Sequence, residues 1–160
     1  MTCLGLVVMI GVSYLLFRGD ADAQSVVGQT DETLLKGTIN DFFDTIVTTP
    51  GSSAAYQKIF SSGLRPSDSV VAEMVQETDK LVKNGRWRAE FLDKKSAGSD
   101  FVQFRYLYKG ETYPVVWYFT FYRPVSAVNM SGDMNPRAWH CLSISFDTNY
   151  QSYFKDSLPK

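Results

Sequence analysis

The chain has 160 residues, 44% of them apolar, with 16 basic against 17 acidic side chains. That length suits one domain with its own hydrophobic core, needing no disulfide or metal to fold. The balanced charge lacks the clustered basic excess of a nucleic-acid footprint, and no block of like charges marks a charged tail.

In chain order, the first element is an apolar run from Met1 to Phe17. As a helix it would be about 26 Å long, slightly short of a ~30 Å hydrocarbon core. Arg18-Gly19-Asp20 follows, then Ala21-Asp22-Ala23, whose small residues match an A-x-A cleavage site with the cut before Gln24. Two features depart from a standard export signal: no positive charge precedes the run, and Arg18 follows it. Residues 1–23 therefore read as a signal peptide sending the chain to the periplasm or the exterior. An uncleaved membrane anchor is the alternative, and a buried core helix is a third reading. Cys3 precedes the apolar run instead of ending it, which removes a lipoprotein reading. The Gly-Phe-Thr-x-x-Glu pattern of type IV pilins is also missing. Without Arg18, Asp20 and Asp22 the remainder holds 15 basic and 15 acidic residues.

Residues 24–30 are polar and read as a linker, leaving 31–160 as the folded domain. Asp31 is a good N-cap, and Leu35, Ile39, Phe42 and Ile46 repeat at helical spacing, with Leu34 and Phe43 flanking the stripe. This predicts a helix to about Thr48, ended by Pro50-Gly51. A short helix follows over Ala54–Phe60, stopped by Gly63. A third starts after Pro66 with Ser67 or Asp68 as cap. It carries Val71, Met74, Val75, Thr78 and Val82 on one side and closes at Asn84-Gly85.

From Arg86 the period changes to alternation, which predicts four strands: Arg86–Asp93, Phe101–Lys109, Thr112–Arg123 and Trp139–Phe146. Lys109-Gly110-Glu111-Thr112 reads as a hairpin with a two-residue type II′ turn. That turn pairs Tyr108 with Tyr113, Tyr106 with Val115, Phe104 with Trp117, and Val102 with Phe119. All eight share one face, and Phe121 continues it. The other face carries Gln103, Arg105, Leu107, Val116, Tyr118 and Thr120. Each buried aromatic removes ~150–250 Å² from water, on the order of 4–6 kcal/mol gross. A one-residue slip would expose that whole face, so its inward orientation is strongly specified. By the same parity, Trp87, Ala89 and Phe91 join the core face, as do His140, Leu142, Ile144 and Phe146.

Helices first, then a long antiparallel sheet with an aromatic hairpin, resembles the NTF2-like/cystatin-like superfamily. The resemblance is carried by Asp31–Val47, by Asp79-Lys80-Leu81-Val82-Lys83-Asn84-Gly85-Arg86-Trp87, by Phe101–Arg123 and by Trp139–Asp147. It is nearest to small exported bacterial proteins of unknown function in that superfamily. It implies an α+β cone, with a curved sheet of about four strands wrapping the helices and an apolar pocket at the open end. It also implies a homodimer through the sheet's outer face. The superfamily holds isomerases, dehydratases, transport factors, membrane-anchored secretion subunits and pocket proteins, so fold alone does not give function.

His140 is the only histidine in the chain. On the core face at a strand start, it is the candidate general base, with a satisfied half-buried histidine as the bland reading. Enzymes of the resembling superfamily pair a histidine with an aspartate inside the cone. Asp41 and Asp44 lie off the first helix's apolar stripe and Glu90 is on the opposite face of its strand. Asp93 has the matching parity, so Asp93–His140 is the candidate catalytic pair. Tyr106, Tyr108, Tyr113, Trp117 and His140 are the candidate ligand-binding residues, the tyrosines otherwise capping the core. Cys141 reads as a packed thiol, since its neighbour His140 points to the opposite face. The stretch 124–136 is long for a hairpin connection and contains an Asn129-Met130-Ser131 sequon. No metal-ligand spacing or cofactor fingerprint is present. The leading expectation is an exported, non-catalytic domain binding a small apolar ligand or a protein partner. The alternatives are an isomerase- or lyase-type enzyme using His140, and a membrane-anchored scaffold subunit of an envelope complex.

Overall fold

A computed structural model describes residues 29–60, 65–82, 88–110, 114–124 and 138–149. The leader 1–23 and its cut before Gln24, the Gly63 stop, the Asn84-Gly85 stop, Trp87, Tyr113 and the Asn129 sequon lie outside these residues. Among the described residues no helix is long and apolar enough to cross a membrane.

Helix α1 runs from Gln29 to Thr48, so it begins two residues inside the expected linker. Twenty residues give a rod of about 30 Å. Leu35, Ile39, Phe42, Phe43 and Ile46 are buried on one stripe. Leu34 is 60% exposed, so only Phe43 of the two flanking residues joins the core. The helix ends in a run of threonines whose hydroxyls donate back to carbonyls one turn earlier: Thr45 to Asp41 at 2.6 Å and Thr49 to Thr45 at 2.7 Å. Beyond Pro50 the chain turns at Gly51 with φ +75°, a left-handed conformation that suits glycine. The Gly51 N–H donates to Asp79 Oδ1 at 2.9 Å and so ties this corner to the third helix.

Helix α2 spans Ala54–Ile59 and α3 spans Asp68–Leu81. The Tyr56 hydroxyl is held by the Thr78 hydroxyl of α3, which itself donates to Met74 O at 2.8 Å. The Tyr56 ring meets Phe42 edge-on, with centroids 5.1 Å apart. Tyr56 thus joins α2 to both other helices. Val71, Thr78 and Val82 are buried as the helical stripe requires, and Met74 and Val75 pack half-buried against the core.

Four strands, β1 (Ala89–Ser96), β2 (Phe101–Lys109), β3 (Pro114–Tyr122) and β4 (His140–Asp147), form an antiparallel sheet in sequential order. The architecture is α+β, helices first. The inner face collects Val102, Phe104, Tyr106 and Tyr108 from β2 and Val115, Trp117, Phe119 and Phe121 from β3, all buried. Phe42 and Phe43 of α1 press on this face, with ring centroids 5.4–5.8 Å from Trp117 and Phe119.

Three details differ from the alternation reading. First, the β2–β3 register is displaced by two residues: Tyr108 pairs with Val115, Tyr106 with Trp117, Phe104 with Phe119 and Val102 with Phe121. The expected two-residue turn would have set Pro114 opposite Leu107 inside the ladder, where it has no N–H to give. The observed register puts Pro114 at the ladder's end, opposite Lys109. An even displacement leaves every side chain on its expected face.

Second, β1 starts at Ala89 and continues to Ser96, with a bulge between Phe91 and Asp93. Phe91 pairs with Tyr106, Leu92 is the extra residue, and Asp93 pairs with Arg105 on the outer face. Third, β4 carries a bulge at Leu142: Ser143 pairs with Thr120, but Cys141 pairs with Phe121 and His140 with Tyr122. Cys141 therefore enters the core, and His140 lies on the outer face. A single inserted residue reverses parity for everything beyond it.

Candidate functional site

The inner-face candidates come together around α1. Tyr106 is 3% exposed and Trp117 is fully covered. Tyr108 stacks on Phe43 at 6.0 Å, and Tyr106 touches Phe43, Phe91 and Phe119. Trp117 lies parallel to Phe119 and meets Phe146 at 5.0 Å. Phe146 is only half-buried on edge strand β4, so it stands between the Trp117 ring and the exterior. Burial pushes the Tyr106 phenol up to about 12, with the Glu32 carboxylate adding to the shift.

One polar atom in this packed face is unmatched. The Trp117 Nε1–H is buried with no hydrogen-bond acceptor. A buried donor left without a partner costs about 1–3 kcal/mol, and native structures hold few of them.

The candidate catalytic pair does not assemble. Asp93 is closed on by the Arg105 guanidinium in a two-pronged ion pair on the outer face. His140 is on the opposite edge strand, three strand spacings across the sheet and four residues further along it, roughly 20 Å away. The bulges at Leu92 and Leu142 place both residues on the outer face, against the parity expected for each. His140 is 9% exposed and its Nδ1 has no partner. Cys141 is buried and its thiol is raised well above the ordinary cysteine range by desolvation, the opposite of an activated nucleophile. Burial likewise raises the Tyr56 phenol. Among the described residues no group of acidic, histidine or cysteine side chains could hold a metal ion.

No protein-family model, no curated protein and no solved structure matches this chain.

Two ionic clusters went unread in the sequence. Arg123, the residue after β3, donates to Asp31 of α1 at 2.8 Å and to Asp100 at 2.9 Å, and lies 4.8 Å over the Trp139 ring. Asp100 is held below the ordinary carboxylate range by the Ser99 hydroxyl and then by Arg123. Near the start of α1, Glu32 pairs with Lys36 at 2.7 Å and with Lys94 of β1. Those two ammonium groups lower its carboxyl. Lys36 also sits 3.8 Å above the Phe91 ring, covering a phenylalanine that remains 38% exposed. Each cluster joins residues far apart in the chain, and each is internally satisfied. They fasten α1 to β1 and to the end of β3. An arginine beside a proline, at the end of the expected third strand, was the only local hint of the first.

Proposed function

We propose that this chain is an exported, non-catalytic domain of the NTF2-like/cystatin-like kind. Its ligand is a small apolar molecule carrying one hydrogen-bond acceptor, seated beside Trp117 between α1 and the inner face of the sheet. The observation that carries the reading is the unmatched Trp117 Nε1–H in an otherwise apolar, aromatic setting. Such a donor discriminates for an acceptor oxygen, and the surrounding rings supply the apolar contact. Phe146, half-buried on the β4 edge strand, packs against the Trp117 ring with centroids 5.0 Å apart. The helix-then-meander order supports the superfamily reading, as does the aromatic hairpin.

The enzyme alternative asks for a histidine oriented by an acid. Asp93 is engaged with Arg105, and the described groups with raised pKa values are a thiol and two phenols buried in the core. Export rests on the apolar leader and the Ala21-Asp22-Ala23 site. It is checked by the mass of the mature chain, which starts at Gln24 on this reading.

The test is a melting-temperature series with medium-length alkyl ketones and the matching alkanes. A ligand binding only the folded state at 100 times its Kd adds about 2.7 kcal/mol of stability. The ketones should raise Tm by several degrees in the native protein. Trp117→Phe keeps an aromatic ring and removes the N–H, so it should erase the advantage of ketone over alkane. No shift with any ketone, or an advantage unaltered by Trp117→Phe, would count against the site.

A further inference from the structure

We infer that the edge of β1 is a docking surface for an anionic lipid bilayer. β1 is the terminal strand of the sheet, and no residue along it is buried. By contrast β4, at the other edge, buries His140, Cys141 and Ile144. The most open positions of β1 are Phe91, Lys94 and Lys95.

Positive charge is concentrated at this edge. Near one end of β1, Glu90 is shared by Arg88 at 3.2 Å and Lys109 at 2.6 Å. Near the other end, Glu32 of α1 is shared by Lys36 and Lys94. Each carboxylate therefore answers two cations and leaves one positive charge over. Lys95 adds a third, while Arg105 and Asp93 cancel each other. Elsewhere among the described residues, acidic side chains outnumber basic ones nine to four. A chain close to neutral overall is thus polarised. An anionic surface attracts the β1 edge and repels the rest, which sets the orientation of approach.

An apolar group sits among these charges. Phe91 is three residues from Arg88 and three from Lys94, and it keeps 38% of its surface exposed. The Lys36 ammonium lies 3.8 Å from the centre of its ring. Leu92, the bulge residue beside it, is half-buried. From Arg88 to Lys95 the edge is about 23 Å long. A ring flanked by ammonium groups matches the boundary of a bilayer. The ring enters below the head groups, while the flexible lysine stems keep their charges at the level of the phosphates. Edge lysines also deter a further strand from pairing, but that role needs no exposed phenylalanine among them. This inference is independent of the Trp117 reading, which concerns the interior.

The experiment is sedimentation of the full chain, in low salt, with vesicles of phosphatidylcholine alone or mixed with phosphatidylglycerol. Whatever residues 1–17 contribute is common to both vesicles, so the readout is the ratio of anionic to neutral affinity. Each cation at an anionic surface contributes roughly fivefold, so a surplus of three predicts a ratio on the order of 100. Arg88→Gln with Lys95→Gln should lower that ratio roughly 25-fold. Lys58→Gln with Lys80→Gln changes the net charge equally on α2 and α3, and should leave the ratio within about twofold. Phe91→Ser should weaken binding to the anionic vesicles at least about threefold. If Phe91→Ser fails to fold, the two charge pairs decide. A ratio near one would overturn the inference, as would equal losses in the two charge pairs. So would anionic binding untouched by Phe91→Ser in a folded protein. Tighter binding to duplex DNA than to the anionic vesicles, per phosphate at the same salt, would assign the edge to nucleic acid instead.

Discussion

Two apolar residues on α1 should respond very differently to truncation. Phe43 is fully buried and contacts Phe42, Tyr106, Tyr108, Trp117 and Phe119, with centroids between 5.5 and 6.0 Å. Leu34 lies nine residues earlier on the same helix and is 60% exposed. Phe43→Ala removes a ring from the centre of the helix–sheet contact and leaves a hole walled by four other rings of the sheet. The expected cost is about 3–5 kcal/mol, against a usual domain stability of roughly 5–15 kcal/mol. For a chain of this size that lowers Tm by on the order of 10 °C. Leu34→Ala should change stability by no more than about 0.5 kcal/mol. Urea unfolding followed by tryptophan fluorescence measures both, and a constant m-value shows that the unfolded state is unaltered. A loss below about 1 kcal/mol for Phe43→Ala, or equal losses for the two variants, would refute the packing of α1 on the inner face.

Glycine positions give a second contrast in the same assay. Gly51 has φ +75°, and an added Cβ would come within 3.3 Å of Asp79 Oδ2, so Gly51→Ala should destabilise by about 1–2 kcal/mol. Gly37, inside α1 with open space around it, should become more stable by about 0.5–1 kcal/mol as Gly37→Ala. Alkaline unfolding tests Tyr106. Its folded-state pKa is raised to about 12 from 10.0, so its contribution is fully present below pH 10 and is lost as pH climbs through 12. Tyr106→Phe should flatten that part of the stability–pH curve. An unchanged slope would show that the phenol is not shielded as described.

The aromatic inner face was readable from the sequence because its signal is redundant. Eight alternating side chains on β2 and β3 keep their face even though the register moved by two residues, since only an odd displacement reverses it. The helices were readable for a similar reason, with several buried positions repeating at one period. The bulges were not. Leu92 and Leu142 are ordinary strand residues, and neither carries a glycine or proline that would mark an insertion. Each reverses the residues beyond it, which carried Asp93 and His140 to the outer face. The bulge at Leu92 makes physical sense: it keeps Phe91 beside Tyr106 while bringing Asp93 to Arg105. The Arg123 cluster was hidden because it depends on tertiary proximity among Asp31, Asp100 and Trp139, which no local pattern encodes.

The Trp117 indole proton is the most direct reporter of the proposed ligand site. A ¹⁵N–¹H spectrum of the protein, with the resonance assigned through Trp117→Phe, can be followed during titration with a medium-length alkyl ketone. The account predicts that this resonance moves downfield, as an indole N–H does on gaining an acceptor, while the matching alkane moves it little. An indole resonance that stays in place while the ketone binds, or a protein that binds neither compound, would contradict it.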